Sequence, residues 1–220
     1  MEGFIFDMDG TLLDTNGLWW ELPELLLQRD GLTCPEALRP LLGRLDPETM
    51  ARRLAQAGVL SYTEEQVISI FLEMMKDQYR QKAAWRPGAE RFLQTLAGLN
   101  IPCCVATATP ISIAMEGMER CGALPYLRFA QGCDSVGLDK GEPDFFLAIA
   151  RQLGVPIERC VVVEDALYAV RSAKKAGATV WAVADRYMAQ DWEVIRRAAD
   201  QSFETFEGVN QAFAAAREGT

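Results

Sequence analysis

The sequence predicts an α/β fold, in which a Rossmann-like parallel sheet core carries an inserted α-helical bundle. Three observations lead to this prediction: one β-prone segment at the start, then a long segment with helical patterns, and then a regular alternation of strand and helix patterns. One strand cannot form a sheet alone, so the first strand belongs with the later ones. We therefore expect residues 1–14 and 87–220 to form the α/β core and residues 15–86 to form a helical cap.

The first strand and the cap helices are predicted from local signals. Residues 2–8 contain a β-prone Phe-Ile-Phe segment, and the acidic residues and Gly10 that follow are typical of a turn. In the cap, Asp46 and Pro47 have the pattern of a helix N-cap with proline at the first helical position, and residues 63–66 form a capping-box sequence. The next helix has apolar residues spaced by three or four, which predicts a face buried inside the bundle. They are Val67, Ile68, Phe71, Leu72, Met74, Met75 and Tyr79.

After residue 86 the patterns alternate between helix and strand. We predict helices at residues 89–99, 143–153 and 166–176 and one that begins at Pro110, and strands at residues 102–107, 160–164 and 179–184. Such alternation predicts a parallel sheet with helices on both faces.

Composition and charge limit the classes of function. The chain has 220 residues and half of them are hydrophobic, which predicts a globular protein with a sizeable core. The net charge of −9 disfavours nucleic acids and membranes as partners, because neither a nucleic acid nor an anionic lipid surface attracts an acidic protein. The chain contains no histidine, which excludes Ser-His and Cys-His nucleophile pairs, His-ligated zinc and a histidine general base.

Cysteine usage and the first residues predict a cytoplasmic protein. The start lacks a basic segment, and its short apolar stretch is interrupted by Asp7 and Asp9, unlike a signal peptide. The six cysteines include no CxxC pair and predict reduced, mostly buried thiols. They are Cys34, Cys103, Cys104, Cys121, Cys133 and Cys160. We expect a monomer or a weak homo-oligomer.

Polar residues occur at four points along one edge of the predicted sheet. Ligands bind to open parallel sheets at the carboxyl ends of the strands. There the sequence places residues 7–11 (Asp-Met-Asp-Gly-Thr), residues 107–109 (Thr-Ala-Thr), Lys140 and the pair at 164–165 (Glu-Asp). Converging carboxylates repel one another unless a cation binds, and oxygen ligands without histidine or cysteine favour Mg²⁺ over zinc. Each motif alone is often a turn or a helix N-cap, so the prediction depends on all four in this order.

These segments resemble the motifs of the haloacid dehalogenase (HAD) superfamily, and more narrowly of its β-phosphoglucomutase and phosphoglycolate phosphatase branch. The first motif covers residues 7–15, the second 105–107, the third 140–146 and the fourth 162–165, which is followed by Ala-x-x-Ala-Gly at 173–177. The resemblance extends over essentially the whole chain. In the family, a cap between the first and second motifs is a helical bundle, which agrees with the predicted insertion.

The resemblance implies phosphoryl transfer through an aspartyl-phosphate. Asp7 would be the nucleophile, and Asp9 would protonate the leaving oxygen and then deprotonate the attacking water. Thr107 would donate its hydroxyl to a phosphoryl oxygen, and Lys140 would stabilise the negative charge that develops. These four residues are the expected catalytic group.

The resemblance also implies binding positions for the cofactor Mg²⁺ and for the substrate. Mg²⁺ would be held by Asp7, by the backbone carbonyl of Asp9 and by Asp165, with Glu164 either a ligand or a neighbour of the ligands. The implied substrate-binding positions of the core are Gly10, Thr11 and Ala108. Many relatives have Asn or Ser at the position of Ala108, so one phosphate contact is expected to come from the backbone alone.

Substrate choice is expected to depend on the cap. Trp19, Trp20 and Arg44 are candidates to line the pocket, because they fall near the cap segments that face the core in relatives. The alternative is that the tryptophans pack between helices and Arg44 is solvated. The two connections, near residues 14–16 and 86–88, are expected to act as hinges. The partner is expected to be a small phosphorylated metabolite, with sugar phosphates, phosphoglycolate and nucleotides all left open.

Other functions remain as alternatives to hydrolysis. Related mutases carry a cap histidine where this chain has Trp19 and Trp20, so a phosphosugar mutase is the less favoured alternative. Asp9 argues against a dehalogenase, which needs no acid at that position. A signalling receiver domain also has a phosphorylated aspartate, an acidic pair and a lysine, but has no helical insertion after the aspartate. A non-hydrolytic binding protein is expected to have lost Asp7, Asp9 or Asp165, and all three are present.

Overall fold

The computed structural model of the chain describes residues 1–33, 36, 47–56 and 62–218. The predictions for Cys34, Arg44 and Asp46 lie outside the described residues. Among the residues described, no helix combines the length and the apolar character that crossing a lipid bilayer requires.

Within the described part of the chain, the core is one six-stranded sheet with the order β3-β2-β1-β4-β5-β6. The strands are β1 (Gly3–Phe6), β2 (Cys103–Thr107), β3 (Ala130–Gly132), β4 (Cys160–Glu164), β5 (Thr179–Val183) and β6 (Gln201–Phe203). Neighbouring strands pair in parallel. Strands are added in one direction from β1 to β3 and in the other from β4 to β6, and ligands bind at such reversals in α/β sheets. The predicted α/β class is confirmed.

The helices follow the predicted alternation. They are α1 (Asn16–Arg29), α2 (Pro47–Gln56), α3 (Glu64–Lys82), α4 (Ala89–Gly98), α5 (Ile111–Cys121), α6 (Cys133–Val136), α7 (Pro143–Leu153), α8 (Leu167–Ala176), α9 (Trp192–Ala198) and α10 (Phe206–Glu218). The capping box predicted before α3 is confirmed. The hydroxyl of Thr63 accepts from the N–H of Gln66, and the side chain of Gln66 accepts from the N–H of Thr63.

Alternation along the strands sends side chains to both faces of the sheet. On one face, Phe4 and Phe6 pack against Phe92 of α4, and Phe6 also contacts Phe206 of α10. On the other face, Ile5 belongs to a second cluster that contains the buried apolar residues of α7 and α8. Burial of one such side chain contributes about 1.5–3 kcal/mol. The prediction of helices on both faces is therefore confirmed.

The cluster of buried side chains that contains Phe4 and Phe6 continues from the sheet into the cap. Leu18 of α1 and Phe71 and Met75 of α3 belong to the same cluster of buried side chains as Phe4. The elements of secondary structure described between residues 15 and 86 are the helices α1, α2 and α3, and no strand is described in this segment. The apolar face predicted for α3 is also correct: its buried residues are Val67, Phe71, Met75 and Tyr79.

The structure contains elements that the sequence patterns do not predict. These are the edge strands β3 and β6, the short helix α6 and the helices after residue 184. β3 has the sequence Ala-Gln-Gly and β6 has Gln-Ser-Phe, so neither carries a β-branched residue. They form because β2 and β5 offer unpaired edges, a tertiary effect that local propensity does not contain. The strand predicted at residues 2–8 is shorter, because the chain turns at Met8.

Candidate active site

The carboxyl end of β1 places Asp7 beside a buried ammonium group. The N–H of Asp7 donates to the carbonyl of Val163 in β4 over 2.9 Å. Lys140 is 1% exposed, and its Nζ lies 2.5 Å from Oδ1 of Asp7 and 2.6 Å from Oε1 of Glu164. Burial alone would lower the pKa of Lys140, but the two carboxylates raise this pKa well above its usual value. Lys140 is therefore a fixed positive charge between two carboxylates.

Glu164 forms an ion pair through one carboxylate oxygen and accepts hydrogen bonds through the other. Its Oε1 faces Lys140, and its Oε2 accepts the N–H groups of Asp165 and Ala166, each over 2.7 Å. These two N–H groups precede the first turn of α8, where backbone donors lack partners within the helix. Glu164 thus holds Lys140 in place and fixes the start of α8.

Three buried carboxylates, those of Asp7, Glu164 and Asp165, form a candidate metal centre. One oxygen of each lies within 4.8 Å of the others. Burial raises the pKa of Asp7 to about 8, although Lys140 acts to lower it. Burial, together with Asp7 and Glu164, raises the pKa of Asp165 well above its usual value. A buried all-oxygen site with more carboxylates than cations suits a hard divalent cation, which favours the ionised carboxylates.

The metal-free protein is expected to lose stability as the pH rises from about 5 to about 8. The folded-state pKa of Asp7 lies above its unfolded value of 3.8, so its contribution is complete at low pH and is lost as the pH passes the folded pKa. Asp165 has a shift of the same sign. The free energy of unfolding should fall by up to about 1.4 kcal/mol per pH unit for each carboxylate.

Urea denaturation with a chelator present, repeated across this pH range, measures the slope. Saturating Mg²⁺ should raise the stability at pH 8 and flatten the slope, because a bound cation favours the ionised carboxylates. Asp7→Asn should reduce the slope without metal. A metal-free stability that increases between pH 5 and pH 8 would contradict the assignment.

Hydroxyl groups surround the carboxylate of Asp9. Its Oδ1 accepts from Thr15 over 2.5 Å and from the hydroxyl of Tyr79. Its Oδ2 accepts from Thr109 over 2.8 Å and from Thr107 over 3.4 Å. A hydroxyl can donate to a carboxylate and can rotate to accept from a carboxylic acid. The threonine hydroxyls can therefore serve Asp9 in both of its protonation states.

Tyr79 connects the cap to Asp9. It lies on α3 and is fully buried, and its hydroxyl accepts from Nε1 of Trp19 over 2.8 Å. Burial and the nearby Asp9 raise the pKa of Tyr79 well above its usual value, so this hydroxyl stays protonated. The indole N–H can only donate, so the single hydrogen of Tyr79 is left to point at Asp9.

Gly10 allows a tight turn next to the metal centre. Its φ of +77° lies in the left-handed region that favours glycine. A Cβ at this position would collide with Nδ2 of Asn16 and Oδ2 of Asp165. Thr11 follows, fully buried, and its N–H donates to the carbonyl of Met8 over 3.3 Å. Any other residue at position 10 would displace a carboxylate of the metal centre.

The structure brings most of the predicted site residues to one edge of the sheet. Those within the network of contacts just described are Asp7, Asp9, Thr107, Lys140, Glu164 and Asp165. Ala108 follows Thr107 and is exposed. Trp19 reaches the site through Tyr79, whereas Trp20 stacks on Tyr187 with ring centroids 5.6 Å apart. Arg44 lies outside the described residues.

Several residues of this network are not identified by sequence reasoning. Thr15 and Thr109 belong to predicted motif segments but carry no distinguishing pattern there. Tyr79 matches the apolar spacing of α3 and is predicted to be bundle core. Its second role, as a hydrogen-bond donor to Asp9, is visible only in the tertiary structure, because Asp9 lies 70 positions away in the sequence.

A parallel sheet with a carboxylate centre at its carboxyl edge and an inserted helical cap defines the class of capped α/β enzymes. The sequence profile described as Haloacid dehalogenase-like hydrolase matches residues 4–183. The chain therefore belongs to the haloacid dehalogenase-like hydrolase family.

Individual relatives agree with this assignment. The chain is 32% identical over 188 residues to (DL)-glycerol-3-phosphatase 2 of Arabidopsis thaliana, covering 82% of this chain and 78% of that protein. It is 29% identical over 185 residues to a phosphorylated carbohydrates phosphatase of Thermotoga maritima, covering 80% and 82%. The crystal structure of a CbbY mutant from Rhodobacter sphaeroides with xylulose-(1,5)bisphosphate has a TM-score of 0.78 at 23% identity, covering 94% and 95%, which shows the fold alone. By these relationships the chain is a phosphatase of its family.

Proposed function

We propose that this protein hydrolyses a phosphomonoester of a small metabolite with Mg²⁺, through an aspartyl-phosphate on Asp7. The observation that carries the proposal is the contrast between two carboxylates only two residues apart. Asp7 faces the ammonium of Lys140, which can only donate and lowers the pKa of Asp7 against the larger effect of burial, so that a bound cation would complete its ionisation. Asp9 faces hydroxyl groups, and those of the threonines can serve both protonation states. One carboxylate is suited to attack phosphorus and the other to transfer protons.

The reaction has two steps. A carboxylate oxygen of Asp7 attacks phosphorus, the bond from phosphorus to the leaving oxygen breaks, and Asp9 gives that oxygen its proton. Water then attacks the phosphorus of the aspartyl-phosphate, Asp9 takes a proton from this water, and the bond from phosphorus to the Asp7 oxygen breaks. Inorganic phosphate is released and the Asp7 carboxylate is regenerated. Lys140 offsets the negative charge near Asp7 in both steps, and Thr107 would donate to a phosphoryl oxygen.

Asp7 and Asp165 are the residues we expect to hold Mg²⁺, together with the backbone carbonyl of Asp9. When bound, the cation would neutralise charge on the carboxylates and on the phosphoryl oxygens. Glu164 is proposed as a neighbour of the ligands, because its Oε2 already accepts two backbone N–H groups and its Oε1 lies 2.6 Å from the ammonium of Lys140. Gly10 and Thr11 would present the backbone to the phosphoryl group, as would Ala108.

We assign residues 1–14 and 87–220 to the core and residues 15–86 to a cap that encloses the substrate. The hydrogen bond from Tyr79 to Asp9 supports a cap that lies next to the substrate, since it joins a cap helix to the proposed acid-base residue. The names of the relatives, a glycerol-3-phosphatase and a phosphorylated carbohydrates phosphatase, support a small phosphorylated polyol or sugar as the substrate.

A panel of phosphorylated metabolites, assayed for phosphate release with Mg²⁺ and with a chelator, tests the proposal. Release that requires Mg²⁺ and prefers small polyol or sugar phosphates supports it. Absence of release across the panel contradicts it. Conversion of β-glucose 1-phosphate to glucose 6-phosphate without phosphate release would favour the mutase alternative.

Tyr79→Phe is expected to lower kcat about tenfold, because Asp9 loses one of its hydroxyl partners while the packing of α3 is kept. Tyr62→Phe is the matched control, since Tyr62 also lies in the cap but its hydroxyl bonds to Arg29. The control should keep the wild-type kcat. Equal activity of the two variants would show that Tyr79 is a packing residue only.

A further inference from the structure

The loop after β5 contacts both chain connections between the core and the cap. This loop contains Asp185, which is 8% exposed and has no part in the chemistry proposed above. The connections are residues 14–16 and 86–88. Backbone bonds restrain both connections: the N–H of Asp14 donates to the carbonyl of Ala84, and the N–H of Arg86 donates to the carbonyl of Leu12, each over 2.9 Å.

Asn16 links the first connection to two carboxylates. Its Nδ2 donates to Oδ2 of Asp165 over 2.9 Å and to Oδ1 of Asp185 over 3.2 Å. The amide lies between a member of the metal centre and a residue of the loop. Because one donor group serves both acceptors, the position of Asp185 restrains the amide that orients Asp165.

Arg86 links the second connection to the same loop. Its Nη1 lies 3.2 Å from Oδ2 of Asp185 and also donates to the carbonyl of Gly10. Its Nη2 donates to the carbonyl of Ala184 over 2.6 Å. The two oxygens of Asp185 are thus divided between the two connections.

The aromatic residue of the loop closes the contact with the first connection. The N–H of Tyr187 donates to Oδ1 of Asp185 over 2.9 Å, and its ring stacks on Trp20 of α1. A Cβ at Gly17 would lie 2.5 Å from the hydroxyl of Tyr187. The first turn of α1 therefore packs tightly against the loop, which favours a single position of Asn16.

We propose that Asp185 is a positioning residue that holds both connections of the cap and, through Asn16, orients the carboxylate of Asp165. This inference rests on the proposed function in one respect, namely that Asp165 binds the cation. Outer partners of metal ligands typically contribute 10- to 100-fold to metal affinity. Loss of Asp185 should therefore weaken cation binding and loosen both connections together.

The test compares Asp185→Ala, Asp185→Asn and the matched control Asp200→Asn in the full chain. Asp200 lies at the other end of β5, where it accepts from the N–H of Val180 over 2.7 Å and pairs with Lys174. Calorimetry with Mg²⁺ alone gives the dissociation constant, and amide hydrogen exchange reports on Asp14 and Arg86. Thermal unfolding shows that each variant is folded.

Asp185→Ala should weaken Mg²⁺ binding about tenfold and speed exchange of both amides. Asp185→Asn removes chiefly the charge that faces Arg86 and should give a smaller change in the same direction. Asp200→Asn should lower the unfolding temperature and change neither Mg²⁺ affinity nor exchange at the connections.

Two results would overturn the inference while the proposed function stands. One is wild-type Mg²⁺ affinity and exchange in both Asp185 variants, and the other is an equal loss of affinity in Asp200→Asn. If the wild-type protein binds no Mg²⁺ and its titration equals that of Asp165→Asn, the proposed metal centre and this inference are both overturned. The wild-type titration therefore separates the two failures.

Discussion

Replacing Asp7 with asparagine is expected to abolish phosphomonoester hydrolysis, with kcat at least about 10⁴-fold below that of the wild type. The amide keeps the shape of the side chain, and its oxygen can still accept from Lys140. Packing is therefore preserved, and what is lost is the nucleophilic oxygen and the charge that would bind the cation. Acid-quenched wild-type enzyme should carry a phosphoryl group on the peptide that contains Asp7, and the variant should carry none.

Asp30→Asn is the matched control for this substitution. Asp30 follows α1 at the surface, where it pairs with Arg29, so its loss should leave kcat unchanged. Hydrolysis by Asp7→Asn at the wild-type rate would reject the aspartyl-phosphate. A phosphoryl group on another peptide of the wild-type protein would assign the nucleophile elsewhere.

Asp9→Asn should separate the two steps of the reaction. With an alkyl phosphomonoester, kcat should fall by about 10²–10⁴-fold, because the leaving alkoxide receives no proton. With an aryl phosphate whose phenol is acidic, the first step needs little protonation and should still proceed. The aspartyl-phosphate then accumulates, because Asp9 is absent when water must be deprotonated.

A rapid-mixing experiment measures this difference as a burst of about one equivalent of phenol followed by slow turnover. Thr109→Val removes one hydroxyl partner of Asp9 while Asp9 stays in place. This control should show a smaller loss and no trapped intermediate. Equal losses on the alkyl and aryl substrates without a burst would show that Asp9 does not transfer the protons.

The fold follows from the sequence wherever burial leaves a periodic pattern. The strands at the centre of the sheet are buried on both faces and are apolar except for Thr107 and Glu164, which end β2 and β4, so β1, β2 and β4 are predicted close to their observed positions. The edge strands β3 and β6 are short and partly exposed, and their formation depends on pairing with a neighbour. The local sequence of an edge strand does not specify that pairing.

The set of acidic residues follows from the sequence for a topological reason. Parallel strands end at one edge, so residues that follow them converge whatever the exact packing. This reasoning identifies Asp7 and Asp165, whereas Lys140 is a basic residue that precedes the helix α7. It does not identify Tyr79, because its partner Asp9 belongs to a distant segment that meets α3 only when the cap and the core pack together. Asp185 also follows a strand, β5, but its contact with Asn16 is not visible in the sequence.

On its own, the sequence thus specifies where the central strands, the main helices and the strand-end carboxylates lie along the chain. Hydrophobic periodicity and the alternation of strand and helix are properties of the linear pattern. The tertiary structure alone decided which donors surround each carboxylate. Lys140 faces Asp7, hydroxyls face Asp9, and an amide joins Asp165 to Asp185. The physical reason is that hydrogen bonds act over about 3 Å, whereas the residues that form them are separated by tens to more than a hundred positions in the sequence.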